Sequence, residues 1–332
     1  MTKLNIIDDT KKDDEDEFTM GPTSDGTYAN AKGGTEMMNE QLYARVDNDL
    51  LDQFHIIKSR VRYMDPDKPN VLWLHDTWDD PESEHLSNDE LRKRFAKLVF
   101  VSNYQFQTYH LAHGVPFDES FVLRNAIDPI PWKEKDKDEI RLIYHTTPHR
   151  GLNIAVAAIQ EIAKIHGDKI HFDVFSSFNA YGWPDADKPY LELFDNIREH
   201  PNMTYHGYQP NSVVREALQN AHIYAYPNVW PETSCISVIE AMSAGCQVVC
   251  PNYAALPETT GNFATMYQWS EDMNKHANVF ANMLHAAIQN HNTDDMQRKM
   301  VFQKNWTDNF FNWDLRAAEW TGFLQGLQKQ NG

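Results

Sequence analysis

Short apolar runs alternate with amphipathic stretches through the second half of the chain. The length of the runs predicts strands, and the stretches between them carry apolar residues at helical spacing, as in 152–165. Apolar strands separated by helices favour a parallel sheet that is covered on both faces. The predicted strands are Arg141–His145, Ile170–Phe175, Met203–His206, Ile223–Tyr226, Gln247–Cys250 and Thr265–Gln268. The predicted helices are Leu152–Ile165, Val213–Asn220, Ile236–Ala244 and Glu271–Gln289.

The first half shows a similar alternation, which predicts a second α/β unit. Its predicted strands are His55–Lys58, Val71–His75, Leu98–Ser102 and Phe121–Leu123, and its predicted helices are Thr35–Val46, Asp89–Ala96 and Tyr104–Ala112. Pro129–Glu139 carries two prolines and alternating charges, so it reads as a linker between domains. Trp313–Leu327 predicts one more amphipathic helix, whereas the acid-rich residues 1–31 predict a flexible segment.

Composition narrows the class of protein. A length of 332 residues suggests about two domains, and the net charge of −18 argues against a broad surface for nucleic acid or anionic membranes. The best local basic cluster, Arg92, Lys93, Arg94 and Lys97, is more typical of a solvated helix face. Three cysteines without a disulfide framework and no long apolar run predict a soluble, cytoplasmic protein without a membrane span.

Glu232 and Glu240 are the first candidate pair for chemistry. The first acid lies in a proline-containing loop and the second in the predicted helix Ile236–Ala244, which Gly245 ends. If the helix begins near Cys235, its first backbone N–H groups favour an anionic ligand. Ser237 and Glu240 also have the spacing of a capping box, and the spacing alone leaves that alternative open.

Three other segments carry polar residues where a parallel sheet binds ligands. The loop Thr146–Gly151 joins a predicted strand to a helix, so its N–H groups and Arg150 could clamp a diphosphate. Gly33-Gly34 precedes a helix in the same way. His75 and Asp76 end a buried strand, where they would either bind a ligand or cap the next loop.

These segments together resemble the retaining family 4 glycosyltransferases of the GT-B fold. The main signature is the run from Glu232 to Glu240, continued by Ala-Met-Ser-Ala-Gly and Val248-Val249. The supporting matches are Arg150-Gly151, Gly207-Tyr208-Gln209, Val101-Ser102-Asn103-Tyr104, Asn125-Ala126-Ile127-Asp128 and the final helix. Gly33-Gly34-Thr35-Glu36 and Leu72-Trp73-Leu74-His75-Asp76 look closest to glycosyltransferases of marine tailed phages.

The resemblance implies two Rossmann-like domains facing a cleft. It would place a shortened acceptor-side domain at residues 32–130 and a domain binding the nucleotide sugar at residues 131–310. A helix in residues 311–332 would pack back on the first domain. Residues 1–31 would form an acidic segment before that domain. The implied reaction moves a sugar from a nucleoside diphosphate to a hydroxyl acceptor with retention of the anomeric configuration, and it needs no metal or resident cofactor.

The resemblance also implies residue roles. Arg150, Glu232 and His75 would serve the reaction, with Arg150 on the diphosphate, Glu232 on the donor sugar and His75 near the sugar. Glu240 would hold the ribose. The remaining donor-binding positions would be Gly33, Gly34, Thr147, Tyr208, Ser234, Cys235 and Ile236. His145 stands where the family often has an arginine, so the diphosphate would depend on Arg150 as its main cation.

Other functions account for fewer of these features. A dinucleotide-dependent oxidoreductase would need a G-x-G-x-x-G turn after its first strand, which the chain lacks. A non-catalytic module that binds a nucleotide sugar or a glycan is the main alternative, since it could keep Arg150 and Glu240 without turnover. The acceptor stays open between a glycan such as lipopolysaccharide, a protein side chain and a modified base in DNA, with nucleic acid disfavoured by the acidic balance.

Overall fold

The computed structural model describes residues 33–331, which divide into two compact units. The larger unit comprises Pro129–Trp230 and Ser237–Asp308. The smaller unit comprises residues 33–128, Pro231–Ile236 and residues 309–331. The acid-rich segment predicted to be flexible, residues 1–31, lies outside the described residues.

The smaller unit is built on a parallel sheet whose strands follow one another in chain order. The strands are β1 (His55–Lys58), β2 (Asn70–Leu74), β3 (Lys97–Phe100) and β4 (Ser120–Val122). The helices are α1 (Gly34–Arg45), α2 (Asn48–Leu51), α3 (Asp89–Arg92), α4 (Asn103–His113) and, at the end of the chain, α12 (Trp313–Asn331). Because β2 is buried along its whole length, both faces of the sheet must be covered.

Two hydrophobic clusters cover these faces. One joins α1, β2 and α12, where the rings of Trp73 and Trp320 meet edge to face with their centroids 4.9 Å apart. The other packs Leu72 and Phe100 against the buried ring of Tyr109 from α4. The final helix therefore contributes to the core of the smaller unit.

The larger unit carries a second parallel sheet with the strand order β10-β9-β8-β5-β6-β7. Its strands are β5 (Ile140–Tyr144), β6 (Ile170–Val174), β7 (Met203–Tyr205), β8 (Ile223–Ala225), β9 (Gln247–Pro251) and β10 (Thr265–Tyr267). Its helices are α5 (Leu152–His166), α6 (Leu191–Glu199), α7 (Asn211–Asn220), α8 (Ile236–Ser243), α9 (Leu256–Thr260), α10 (Met273–Asn290) and α11 (Asp294–Phe310). The strand order reverses direction between β5 and β8. In open α/β sheets, ligands usually bind at the carboxyl ends of the strands at such a reversal.

Most predicted strands and helices are confirmed, with ends that differ by a few residues. Four of the helices given above, α2, α6, α9 and α11, were missing from the prediction. α11 buries Gln303 and Thr307 beside Met300, so its inner face is too polar for the hydrophobic pattern to indicate a helix.

The interpretation of Arg92 as part of a solvated face is wrong. Its guanidinium is buried and donates to the backbone oxygen of Leu86 at 2.6 Å, and it forms an ion pair with Glu119 at 3.0 Å. Arg92 therefore holds together the turns of the smaller unit and is not presented to solvent.

Gly151 is the tightest backbone position in the larger unit. Its φ of +107° lies in the left-handed region, and an added Cβ would lie 2.2 Å from the carbonyl oxygen of Pro227. We expect Gly151→Ala to cost about 3 kcal/mol, because strain and overlap act together. Gly114→Ala is the matched control, since φ is +68° but no atom lies within 4 Å of the added carbon, so only about 1 kcal/mol is expected.

Thermal unfolding checks this difference. The melting midpoint of Gly151→Ala should fall by about 6 °C or more, and that of Gly114→Ala by about 3 °C. Equal decreases in the melting midpoint of the two variants would show that overlap with the Pro227 carbonyl does not add to the destabilisation.

Candidate functional site

Two loops meet at the carboxyl edge of the larger sheet. The loop 145–151 follows β5, and the segment 226–230 follows the neighbouring strand β8. The backbone of Gly151 lies against the Pro227 carbonyl, so the loops are in direct contact. The strand order reverses at this point, and the crevice that such a reversal creates is the usual ligand site of open α/β sheets.

The loop after β5 is a compact turn that leads into α5. The Tyr144 hydroxyl donates to the backbone oxygen of Thr147 at 3.0 Å, and the backbone N–H of Arg150 donates to the same oxygen at 3.3 Å. Gly151 then begins α5 in the left-handed conformation. This turn sets the Arg150 side chain at the start of a long helix, where the helix dipole also favours an anion.

Arg150 lies among aromatic side chains of the larger unit. A guanidinium nitrogen of Arg150, Nη2, is 3.5 Å from the hydroxyl of Tyr181. The guanidinium carbon lies 6.0 Å from the ring centroid of Trp230, which is cation–π distance. These contacts restrain a side chain that would otherwise be flexible, and they leave its charge at the carboxyl edge of the sheet.

Buried polar atoms without a protein partner cluster around the same loop. The hydroxyls of Thr147 and Ser176 are 4% and 1% exposed, respectively, and neither forms a hydrogen bond. The same holds for Nε2 of His145 and Nδ1 of His149. Buried polar groups are normally hydrogen-bonded, because leaving one unsatisfied costs about 1–3 kcal/mol. The cluster is therefore suited to a polar ligand.

The two histidines of this loop are neutral. Burial lowers the pKa of His145 to about 3, although a hydrogen bond to the backbone of Ser237 opposes the effect. Burial, followed by the neighbouring charge of Arg150, lowers the pKa of His149 to about 3 as well. At neutral pH they offer hydrogen-bonding nitrogens but no positive charge, so the charge of the loop comes from Arg150.

Glu240 lies in the first turns of α8 but does not form the capping box. The helix begins at Ile236, so Ser237 is already helical, and its hydroxyl lies 3.0 Å from that of Tyr224. The buried Glu240 carboxylate instead accepts hydrogen bonds from Asn211 at 3.1 Å and from Arg215 at 2.9 Å. Burial raises its pKa, and the charge of Arg215 and the hydrogen bonds from Asn211 and Arg215 oppose that rise.

The segment Pro231–Ile236 forms the second group of predicted site residues, in the smaller unit. The Thr233 hydroxyl donates to the backbone oxygen of His75 at 2.7 Å. The Ser102 hydroxyl donates to the backbone oxygen of Thr233 at 2.6 Å. These bonds tie the segment to the ends of β2 and β3, and the neighbouring Glu232 is 5% exposed. Gly34 lies at the same place, since an added Cβ would be 3.1 Å from Cδ1 of Ile236.

His75 is a neutral imidazole at the end of β2. Burial and the nearby charge of Lys58 lower its pKa to about 3. Its ring packs against Trp73 with centroids 4.6 Å apart, and its Nε2 is buried without a hydrogen-bond partner. The ring is therefore held in place with one nitrogen able to bond to a polar ligand.

The predicted site residues therefore fall into two groups. Those in the larger unit are Thr147, Arg150, Tyr208 and Glu240. Those in the smaller unit are Gly33, Gly34, His75, Glu232, Ser234, Cys235 and Ile236. Tyr208 follows the turn at Gly207 and is 37% exposed, whereas Cys235 is buried. Sequence reasoning missed Arg215, whose i, i+4 spacing from Asn211 on an amphipathic helix was the available signal.

Three further features complete the description of the structure. Within residues 33–331, no group of three or more His, Cys, Asp or Glu side chains could hold a metal ion. Asp187, from the Asp185-Ala-Asp187 run, accepts hydrogen bonds from the Ser177 hydroxyl and, at 2.8 Å, from the backbone N–H of Phe178. None of the helices in the described part of the chain combines the length and hydropathy needed to cross a membrane.

Several solved structures share this fold at low sequence identity. A glycosyltransferase from Rickettsia africae ESF-5 aligns with a TM-score of 0.65 at 16% identity, over 89% of this chain and 80% of that one. HepE from Anabaena, solved with UDP and glucose, aligns with a TM-score of 0.60 at 16% identity, over 78% and 72% of the two chains. The pneumococcal O-GlcNAc transferase GtfA, solved with UDP and GlcNAc, gives 0.61 at 10% identity, over 79% and 53%.

The family model and these structures together show a glycosyltransferase of the GT-B fold. Residues 127–300, just over half of the chain, match the family described as Glycosyl transferases group 1. The chain belongs to that family, and the predicted GT-B fold is confirmed. Comparison with curated protein sequences finds no match.

Without Arg215, the buried Glu240 carboxylate would lose the positive charge that balances its own negative charge. We expect Arg215→Ala to lower the free energy of unfolding by about 2 kcal/mol near pH 8. Arg298→Ala is the control, because its ion pair with Asp295 is exposed on both sides and should contribute less than about 0.5 kcal/mol.

The pH dependence of this loss provides a further check. A raised pKa means that the folded state prefers protonated Glu240, so its contribution to stability is present at low pH and lost as pH rises through the folded pKa. Without Arg215 the pKa rises further. The difference in denaturation midpoint between Arg215→Ala and wild type should therefore shrink near pH 5, and a difference that grows on acidification would contradict the assignment.

Proposed function

We propose that the protein is a retaining, metal-independent glycosyltransferase of family 4 that uses a nucleoside-diphosphate sugar. The single observation that carries the proposal is a set of polar groups after neighbouring strands of the larger sheet. Arg150 and the buried, unpaired hydroxyl of Thr147 lie in the loop 145–151, and the buried, unpaired hydroxyl of Ser176 follows β6. A diphosphate supplies acceptor oxygens for hydroxyl donors and negative charge for a guanidinium. Neutral histidines suit the same ligand, because each can donate one hydrogen bond to an oxygen.

The proposed reaction breaks the bond between the anomeric carbon and the diphosphate and forms one to the acceptor oxygen. Negative charge then develops on the leaving diphosphate, and Arg150 with the start of α5 would stabilise it. The leaving phosphate oxygen would take the proton of the acceptor hydroxyl on the same face of the sugar, which gives retention. No side chain needs to act as a general base in this scheme.

The other predicted residues would position the donor. Glu240 would hold the ribose, and its bonds to Asn211 and Arg215 keep its carboxylate in one orientation for that purpose. Glu232 would bind hydroxyls of the donor sugar, and His75 would bind the sugar through its buried nitrogen. Gly33, Gly34, Ser234, Cys235 and Ile236 would let backbone approach the donor, with Tyr208 beside the base.

The neighbours support a uridine nucleotide as the first donor class to test. HepE was solved with UDP-glucose and the pneumococcal enzyme with UDP and GlcNAc. Identities of 10–16% carry the fold but not the choice of sugar. We therefore propose UDP-sugars as the leading donors, with transfer in the cytoplasm, including that of a host cell if the gene belongs to a phage.

Ligand-induced thermal stabilisation tests the donor site. UDP, GDP, ADP and CDP sugars should be screened, and one nucleotide class should raise the melting midpoint of the wild type. Arg150→Ala should weaken that nucleotide by at least tenfold, because a charge-assisted hydrogen bond contributes about 1.5–3 kcal/mol. Arg298→Ala is the control, since this arginine pairs with Asp295 on the exposed face of α11 and should not change binding.

A second variant separates the effect of the positive charge of Arg150 from the effect of its planar guanidinium group. Arg150→Lys keeps the charge but loses the planar fork, so its affinity should lie between those of wild type and Arg150→Ala. Absence of any nucleotide shift in the wild type would overturn the proposal. A shift without slow donor hydrolysis would instead favour the non-catalytic binding module.

The stereochemistry and the metal requirement are tested on the active donor. Proton NMR of the first product formed should show the anomeric configuration of the donor. Turnover should continue in excess EDTA, because Arg150 and the start of α5 would supply the electrophilic stabilisation. An inverted product or a full loss of turnover with EDTA would contradict the mechanism.

A further inference from the structure

A loop beside Arg150 is not used by the proposed donor site. It runs from Ser177 to Tyr190 after β6 and consists of two 3₁₀ turns, Phe178–Tyr181 and Pro184–Tyr190. Asp187 closes the loop on itself, because its carboxylate accepts hydrogen bonds from the Ser177 hydroxyl and the Phe178 backbone N–H. The loop is therefore an ordered element with a defined surface.

Aromatic rings connect this loop with the segment after β8. His149 stacks on Phe178 with ring centroids 5.1 Å apart, and it meets Trp230 edge to face at 5.0 Å. Tyr181 lies 5.5 Å from Trp183 by ring centroids. We call Tyr181, Trp183 and Trp230 the aromatic platform; Arg150 contacts two of its members.

The aromatic platform has the exposure of a binding surface. Trp230 is 43% exposed, and both Tyr181 and Trp183 are partly exposed, although large aromatic side chains gain most from burial. Aromatic rings present a broad apolar face at a low entropic cost, since only two side-chain torsions need to be fixed. The faces of pyranose rings carry C–H groups that pack on such surfaces while their hydroxyls stay hydrated.

We propose that the aromatic platform binds the saccharide of the acceptor, which adds a surface of the larger unit to the acceptor-side role that the resemblance gives to residues 32–130. This inference rests on the proposed function, because it takes Arg150 as the residue that holds the leaving diphosphate. Retention with a phosphate as proton acceptor requires the acceptor hydroxyl next to that phosphate. The platform adjoins Arg150 and supplies flat apolar faces, so the acceptor it fits is a neutral or weakly charged glycan.

The observations disfavour nucleic acid as the acceptor. A protein that binds nucleic acid needs several basic side chains along the phosphate backbone. The loop Ser177–Tyr190 contributes Lys188, which is paired with Asp185 at 3.1 Å, and it also carries the acidic residue Asp187. A nucleobase could also stack on aromatic rings, and the predicted base-side residue Tyr208 follows β7, the neighbour of β6. The donor base is therefore one of the outcomes that the experiment below distinguishes.

Binding of saccharides without donor tests the proposal directly. Labelled wild-type protein should be applied to a printed array of bacterial, plant and animal oligosaccharides, and each hit should be titrated in solution by saturation-transfer NMR. Trp183→Ala and Trp183→Leu should each weaken the best saccharide by at least tenfold, because leucine keeps apolar volume but not the flat ring. Phe302→Ala is the matched control: this exposed aromatic of the larger unit lies on α11 and should leave saccharide binding unchanged.

The outcomes separate this proposal from the proposed function. Nucleotide stabilisation without any saccharide bound by the wild type, or equal saccharide binding by wild type and both folded Trp183 variants, would overturn the platform and leave the donor site standing. Saccharide binding that depends on Trp183, without nucleotide stabilisation, would support the platform and overturn the transferase function. Loss of the nucleotide shift in the Trp183 variants would assign the platform to the donor base and overturn the acceptor assignment.

Discussion

The contact between the backbone of Gly151 and the carbonyl of Pro227 is the constraint on which the larger unit's site depends. The loops after the neighbouring strands β5 and β8 approach each other so closely here that a Cβ atom on residue 151 would overlap the carbonyl oxygen of Pro227. Arg150 precedes this contact directly and Trp230 follows it by three residues, so the same approach sets a cation beside an aromatic ring. A looser turn would separate them and leave Arg150 without its restraints.

The positive charge of the loop after β5 comes from Arg150, because burial keeps His145 and His149 neutral. The chain carries a net charge of −18, yet the loop after β5 carries one guanidinium and two uncharged imidazoles. Burial keeps both histidines neutral, because a charged ring there would lose its hydration. The same effect acts on Glu240, where burial favours the neutral acid and Arg215 opposes it. Local desolvation therefore matters more for the site than the overall charge.

The sheets were predictable from the sequence because their strands are buried on both faces and read as continuous apolar runs. The loops that carry the candidate site residues were predictable as well, since Thr147, Arg150 and His75 follow such runs. α11 was not, because Gln303 and Thr307 occupy its inner face. The pairing of Glu240 with Arg215 and the tether of Thr233 to His75 depend on tertiary contacts over 25 and 158 positions, which no local spacing indicates.

The loop closed by Asp187 has a consequence for how such enzymes diverge. Because its own hydrogen bonds hold it, ring residues on its outer surface can change while β6 and the turn at Gly151 keep their geometry. If the aromatic platform binds the acceptor as proposed, substitutions in this loop would change which saccharide is accepted and leave the loop 145–151 as it is. A new acceptor preference would then require only a few exchanged aromatic side chains, while the turn that holds Arg150 stays the same.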